Sequence, residues 1–151
     1  MKLVTARDVQ RLTGLTADQL REWTTRRGLI EPDRKPTGPG SRAMYSWQTV
    51  LVLRIAVVLK EILHVELHAQ RSALSKLTQR VRKSSFPSLR GKVLFVSSNG
   101  RVDLSAASDI AAFRSDGIIL RLDPHLDVLA VSFGGPKPIH QLPLFPAVAV
   151  R

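Results

Sequence analysis

Arginines and short polar side chains make up most of the residues whose types and spacing could do chemistry. Asp18, Arg21, Thr24 and Thr25 fall opposite Leu20 and Trp23 in one amphipathic segment. Arg26 and Arg27 follow at its end, and Arg34, Lys35 and Arg42 lie in a proline- and glycine-rich loop, DRKPTGPGSR. A guanidinium is a permanent cation with a planar fork of donors, suited to phosphate oxygens and guanine edges rather than to bond breaking. Groups for covalent or metal chemistry are scarce. The chain has no cysteine, which removes disulfides, thiolate metal sites and thiol redox sensing. His64 and His68 stand four apart as on one helical face, but Glu66 between them does not make HExxH and no third ligand is near. They read as solvated helix-start histidines, and no metal is expected. Neither a Gly-rich phosphate loop nor G-x-S-x-G occurs, and Asp103, Asp109, Asp116, Asp123 and Asp127 are dispersed over turn and strand-end positions. His125 and Asp127 are close in sequence but have no serine beside them. No enzyme, catalytic residue or cofactor is expected.

The placement of charge sharpens this reading. The formal net charge is +11 over 151 residues. Residues 1–90 hold 17 Lys/Arg against 7 Asp/Glu, whereas residues 91–151 hold 6 against 5. A generally basic surface would be even, so the asymmetry points to a front half that meets a polyanion. Nucleic acid leads. An anionic membrane surface would call for a long amphipathic helix with an aromatic face, which is lacking. Arg54 and Lys60 break the longest apolar runs, and the N-terminus has no apolar h-region, so the expected location is cytoplasmic.

The elements that must position these cations begin at the N-terminus. A first helix is expected from about Thr5 to Thr13, with Thr5 and Asp8 as a capping pair, Val9 and Leu12 inward and Gly14 ending it. A second helix is expected from the Thr16 cap to about Arg27, with Leu15 as the staple residue. Arg26 and Arg27 suit the dipole of its C-terminus and also serve as phosphate contacts. The stretch 29–45 cannot be helical, with Pro32, Pro36, Pro39, Gly38 and Gly40 in it. Strands near Leu29–Glu31 and Met44–Tyr45 are expected to close a hairpin with the basic loop at its tip, the alternative being a solvated linker. Two short helices on a Gly turn followed by a cationic loop have the layout of a winged helix-turn-helix.

Here the residues resemble a known family. The order GLTADQLREWTTRRGLIEP, a basic Gly-rich loop, SRAMYS and a Leu/Ile-rich helix is similar to the N-terminal domain of the MerR superfamily over about residues 3–82. The matching pieces are Leu20-Arg21-Glu22-Trp23, Arg26-Arg27-Gly28-Leu29 and Arg42-Ala43-Met44-Tyr45-Ser46. The resemblance implies double-stranded DNA as partner, with contacts from Thr16, Asp18, Gln19 and Arg21 and from Arg42 in the wing. Tyr45 would brace the wing or reach a phosphate, and Trp23 joins the expected binding set with Arg26, Arg27, Arg34 and Lys35. Glu22 stands where the family often has an aromatic, placing an acid close to DNA, and the wing is long and Pro-rich.

Ser46–Leu63 is expected to be one helix, apolar almost all round, and therefore buried by the reader and by a second chain. After His64 another helix is expected from about Val65 to Lys83. Leu67, Leu74 and Val81 recur every seven residues there, with Leu77 between, which suits packing within its own domain or a short coiled-coil seam. The resemblance implies a homodimer.

The expected fold class is α+β. Residues 1–83 form the DNA-binding domain with its helical extension, 84–91 a linker and 92–151 a small β-rich effector or partner-binding domain. Strands are expected at 92–96, at Arg101–Leu104 after the Asn99-Gly100 turn, and from Gly117 until Asp123-Pro124. Ser105–Ser115 reads as one or two helical turns, and Leu126–Phe133 as a fourth strand or a short helix. The apolar end, LPLFPAVAV, either tucks against its own sheet edge or adds a strand to a partner. The reading that results is a sequence-specific transcriptional regulator, a homodimer on an inverted repeat, with an unidentified small ligand or protein partner at its back half. The alternative is a DNA-binding antitoxin that clamps its toxin with the C-terminal domain and tail. An architectural or phage-type DNA-binding protein without an effector is a third possibility.

Overall fold

The computed structural model describes residues 1–134, so the expectations for the LPLFPAVAV end lie outside the described residues. The fold is built outward from one apolar helix. β1 (Val4–Thr5) leads into α1 (Ala6–Thr13), and Gly14 at φ 77° turns the chain toward α2 (Ala17–Arg21). Both helix starts carry reciprocal caps: Thr5 with Asp8, and Thr16 with Gln19. Each satisfies two backbone N–H groups that the first turn leaves without partners. Beyond Arg21 the helix widens to i→i+5 bonding over Glu22–Arg26. It stops at Gly28, whose φ of 57° lets the Leu29 N–H return to the Trp23 carbonyl at 2.8 Å.

β2 (Met44–Tyr45) does not pair with Leu29–Glu31 as expected. Its sheet partner is β1, in the register Val4↔Tyr45 and Thr5↔Met44. The loop is closed instead by a single bridge in which Arg34 and Met44 exchange backbone bonds of 3.1 and 3.0 Å. Leu29 and Ile30 are core residues, 7% and 1% exposed. Their side chains dock the chain inward, leaving the wing only the short segment from Asp33 on.

α3 (Trp47–Val57), capped by Ser46, is the hub. Val50, Leu51, Val52, Leu53, Ile55 and Ala56 are fully buried. An all-apolar helix must be covered on every side, and this one is covered by its own chain, through α1, α4 and the C-terminal helix α5 (Asp123–Phe133). The sequence expectation that a second chain is needed for its burial is therefore corrected. α4 (Arg71–Arg82) starts six residues later than expected, because Leu67–Gln70 forms a turn and His64 adopts φ 52°. The two histidines consequently share no helical face. Leu67, Leu74, Leu77 and Val81 are all at most 3% exposed and pack into this same core, so the heptad pattern reports packing within the chain.

Residues 84–91 are docked: Phe86 meets Trp47 edge-on at 5.1 Å between centroids, Leu89 is fully buried, and Arg90 lies over the Phe86 ring at 5.5 Å. Arg90 also pairs with Asp127 and, at 3.8 Å, with Asp123. β3 (Lys92–Ser97) is the centre of an antiparallel sheet ordered β4-β3-β5, with β4 at Val102–Ala106 and β5 at Gly117–Arg121. Ala107–Ala112 makes the expected short helical turns. Gly117 is required: a Cβ there would stand 2.4 Å from the Val96 carbonyl oxygen. The last described element resolves the strand-or-helix alternative in favour of α5. Pro124 sits in its first turn, where a missing N–H costs nothing. The architecture is thus α+β, a helical front half and a small antiparallel sheet with one helix behind it. Leu94, Val102, Leu122, Leu126 and Leu129 join α1, α3 and α4 in one continuous core.

Candidate DNA-binding surface

The expected contact residues divide by burial. Thr16, Asp18, Gln19, Arg21, Thr25, Arg26 and Arg27 are exposed along one side of α2 and its widened end. Arg34, Lys35 and Arg42 are exposed on the wing. Trp23 and Tyr45 are not on this surface, being 8% and 2% exposed. Trp23 lies three residues past Leu20 and follows the apolar stripe into the core. Tyr45 is buried at the end of β2. Burial raises its phenol pKa, partly offset by a hydrogen bond with Thr24. Thr24, assigned by sequence to the outer face, lies one turn beyond Leu20 and is buried, donating to the Leu20 carbonyl at 2.7 Å.

Two of the polar residues serve the helix before they serve any ligand. The Thr16 hydroxyl accepts from the Gln19 N–H at 3.1 Å, and the Gln19 carboxamide oxygen accepts from the Thr16 N–H at 3.0 Å. Arg21 stands 3.8 Å from Asp18, an exposed pair that water and salt screen easily. Glu22 gathers both following arginines, Arg27 at 2.7 Å and Arg26 at 3.4 Å. The hydrogen bond from Arg27 is the main cause holding its carboxyl below the usual range. The acid that the resemblance places close to DNA is thus paired with two cations of its own helix.

The wing has an anchor that sequence reading missed. Asp33 accepts from the Ser46 N–H at 2.7 Å and from the Ser46 hydroxyl at 2.9 Å. Ser46 is also the cap of α3, its hydroxyl accepting from the Thr49 N–H. The base of the wing is therefore tied to the start of the hub helix. An Asp thirteen residues before a Ser leaves no periodic signal, so only the fold reveals the pair. At the tip, Ser41 accepts from the Thr37 and Gly38 N–H groups at 2.7 and 2.9 Å, ordering the Gly-Pro-Gly turn. Lys35 pairs with Glu31 at 3.0 Å, while Arg34 and Arg42 make no ion pair among the described residues.

Behind the surface, the Arg71 guanidinium donates to the Arg27 carbonyl at 2.5 Å, closing the C-terminal end of the widened helix. Arg54 on α3 donates to the Leu12 carbonyl at the end of α1 and, at 3.3 Å, to His125 Nδ1 on α5. His125 and Asp127 are accordingly engaged in structural contacts, with Arg54 and Arg90 respectively.

A helix with an exposed polar face on a tight Gly turn, flanked by a cationic wing, is the arrangement of a DNA-reading helix-turn-helix. Residues 4–76 match the family model described as MerR HTH family regulatory protein. This N-terminal part of the chain is similar to the helix-turn-helix domain of MerR-type DNA-binding regulators. No curated protein matches the chain. No helix of the described residues is long and apolar enough to cross a membrane.

Proposed function

We propose that the protein is a sequence-specific transcriptional regulator that binds an inverted repeat as a homodimer. α2 enters the major groove, where Asp18, Gln19 and Arg21 face base edges and Thr16 approaches the backbone. Arg26, Arg27, Arg34, Lys35 and Arg42 grip flanking phosphates. The observation that carries this reading is the outward polar edge of α2, continuous with a cationic wing anchored through Asp33. Such a surface neutralises phosphates and presents donors to bases together. For the second copy, α5 supplies a candidate face: Val128 and Val131, three apart, are 37% and 86% exposed. Adjacent apolar side chains left in water favour a protein partner.

The test is selection of duplexes from a random library by the full chain, followed by footprinting and the mass of the complex. Two phased half-sites and two chains per duplex are expected, and a broad, unphased footprint contradicts the operator reading. The antitoxin alternative uses the same α5 face for a different protein. Purification from the source cell separates the two: a stoichiometric heterologous protein supports the antitoxin, and a dimer of this chain alone supports the regulator.

A further inference from the structure

Beneath the reader lies a cavity of about 330 Å³ between α4 and the open end of the sheet. Its walls are apolar, chiefly Leu59, Val65, Leu74, Leu77, Val96 and Ile118, with Gln70, Ser97 and Ser98 as polar members. Among the described residues no ionisable side chain lines it. The volume falls within the range of small-molecule sites, which are mostly apolar with a few polar groups that orient the ligand. A charge placed among these apolar walls would lose much of its hydration without compensation, which favours an uncharged ligand. The Ser97 hydroxyl is already engaged with Asn99 and Arg101. The Gln70 carboxamide makes no hydrogen bond among the described residues, which leaves it to orient a ligand's polar group.

The position of the cavity links it to the reader. Ala73, Leu74 and Leu77 bring one side of α4 into its wall, with Gln70 just before its start, and Arg71 on the same helix closes the end of the reading helix through the Arg27 carbonyl. We propose that this cavity binds a small, uncharged, largely apolar molecule with one hydrogen-bonding group, and that its occupancy shifts α4 and so alters DNA affinity. The second half of this proposal rests on the DNA-binding reading above.

The test uses the full chain and the neutral fluorophore N-phenyl-1-naphthylamine. One saturable site per chain is expected, displaced by 1-octanol and lost in Ala73→Leu and in Val102→Phe, which narrow the cavity from opposite walls. Circular dichroism identifies which variants fold, and a single folded variant suffices. Saturating probe is expected to change the Kd for the selected duplex at least fivefold. Absence of saturable binding overturns the site, as does binding that persists in a folded, narrowed variant. Binding that leaves DNA affinity unchanged overturns the effector role. Binding that appears only in full-chain Phe145→Asp assigns the cavity to residues 142–150 and overturns the small-molecule proposal. If the wild type binds probe normally but selects no duplex, the site stands and the DNA-binding reading fails.

Discussion

Arg21 and Trp23 are two residues apart and belong to different problems. Arg21 is exposed on the outer polar side of α2, so under the proposed DNA-binding mode Arg21→Ala is expected to cost about 1–3 kcal/mol of binding to the selected duplex and to relax preference at one base position. Unchanged affinity in a fluorescence titration would remove it from the interface. Trp23 belongs to the core, so Trp23→Ala is expected to cost roughly 3–5 kcal/mol of folding stability. Trp23→Phe, which retains most of the apolar volume, should keep duplex binding. His125 gives a pH effect of definite sign. Burial, and secondarily the Arg54 cation, hold its pKa below 6.5. The unfolded chain therefore takes up the proton first, and stability falls as pH drops from about 6.5 toward the folded value. The urea midpoint should be level above pH 7 and decline below 6.5, and His125→Gln should flatten that decline.

At the scale of elements, the wing is expected to depend on its hydrogen-bonded root more than on its tip. Asp33→Ala removes both bonds to Ser46 and should loosen the loop carrying Arg34, Lys35 and Arg42. A loss of duplex affinity with a smaller salt slope, at nearly unchanged reading-helix structure, is the expected outcome; an unaltered slope would disprove that coupling. Thr16→Ala should cost about 1 kcal/mol through the lost cap, visible as a lower Tm. Capping, glycine turns and apolar periodicity were legible in the sequence because they are local: Thr5 with Asp8, Gly14, and the α3 run. The wing's closure was not. β2 pairs with β1 some forty residues earlier, and the Asp33–Ser46 anchor depends on that pairing. The start of α4 was misread because apolar spacing continues through Leu67, whereas the backbone there makes a separate turn. Thr24 was misplaced by treating its hydroxyl as outward-facing, although it lies directly one turn beyond Leu20 and satisfies itself on the helix carbonyl.

For the whole molecule, the front and back halves share one core. Arg54 joins α1 to α5, Arg90 joins the 84–91 segment to α5, and the Lys2 ammonium donates to the Ser132 carbonyl at 2.6 Å. Unfolding followed by tryptophan fluorescence, which reports Trp23 and Trp47, and by circular dichroism should give coincident single transitions. Leu89→Ala, far from the reader in sequence, should lower both by about 2–5 kcal/mol. The charge imbalance points to the same front half that the family model matches. It carried no information about how the nearly neutral back half is attached, because that attachment is apolar packing.

The cover that α5 gives α3 also has a consequence for synthesis. Chains leave the ribosome from the N-terminus, so the DNA-reading segment emerges while one flank of its hub helix is still bare. That flank is completed only when Asp123–Phe133 arrives. A message cut short before that point yields a product with an uncovered apolar helix, a substrate for chaperones and proteases. The order of translation thus makes a complete core around α3 wait for the last described helix.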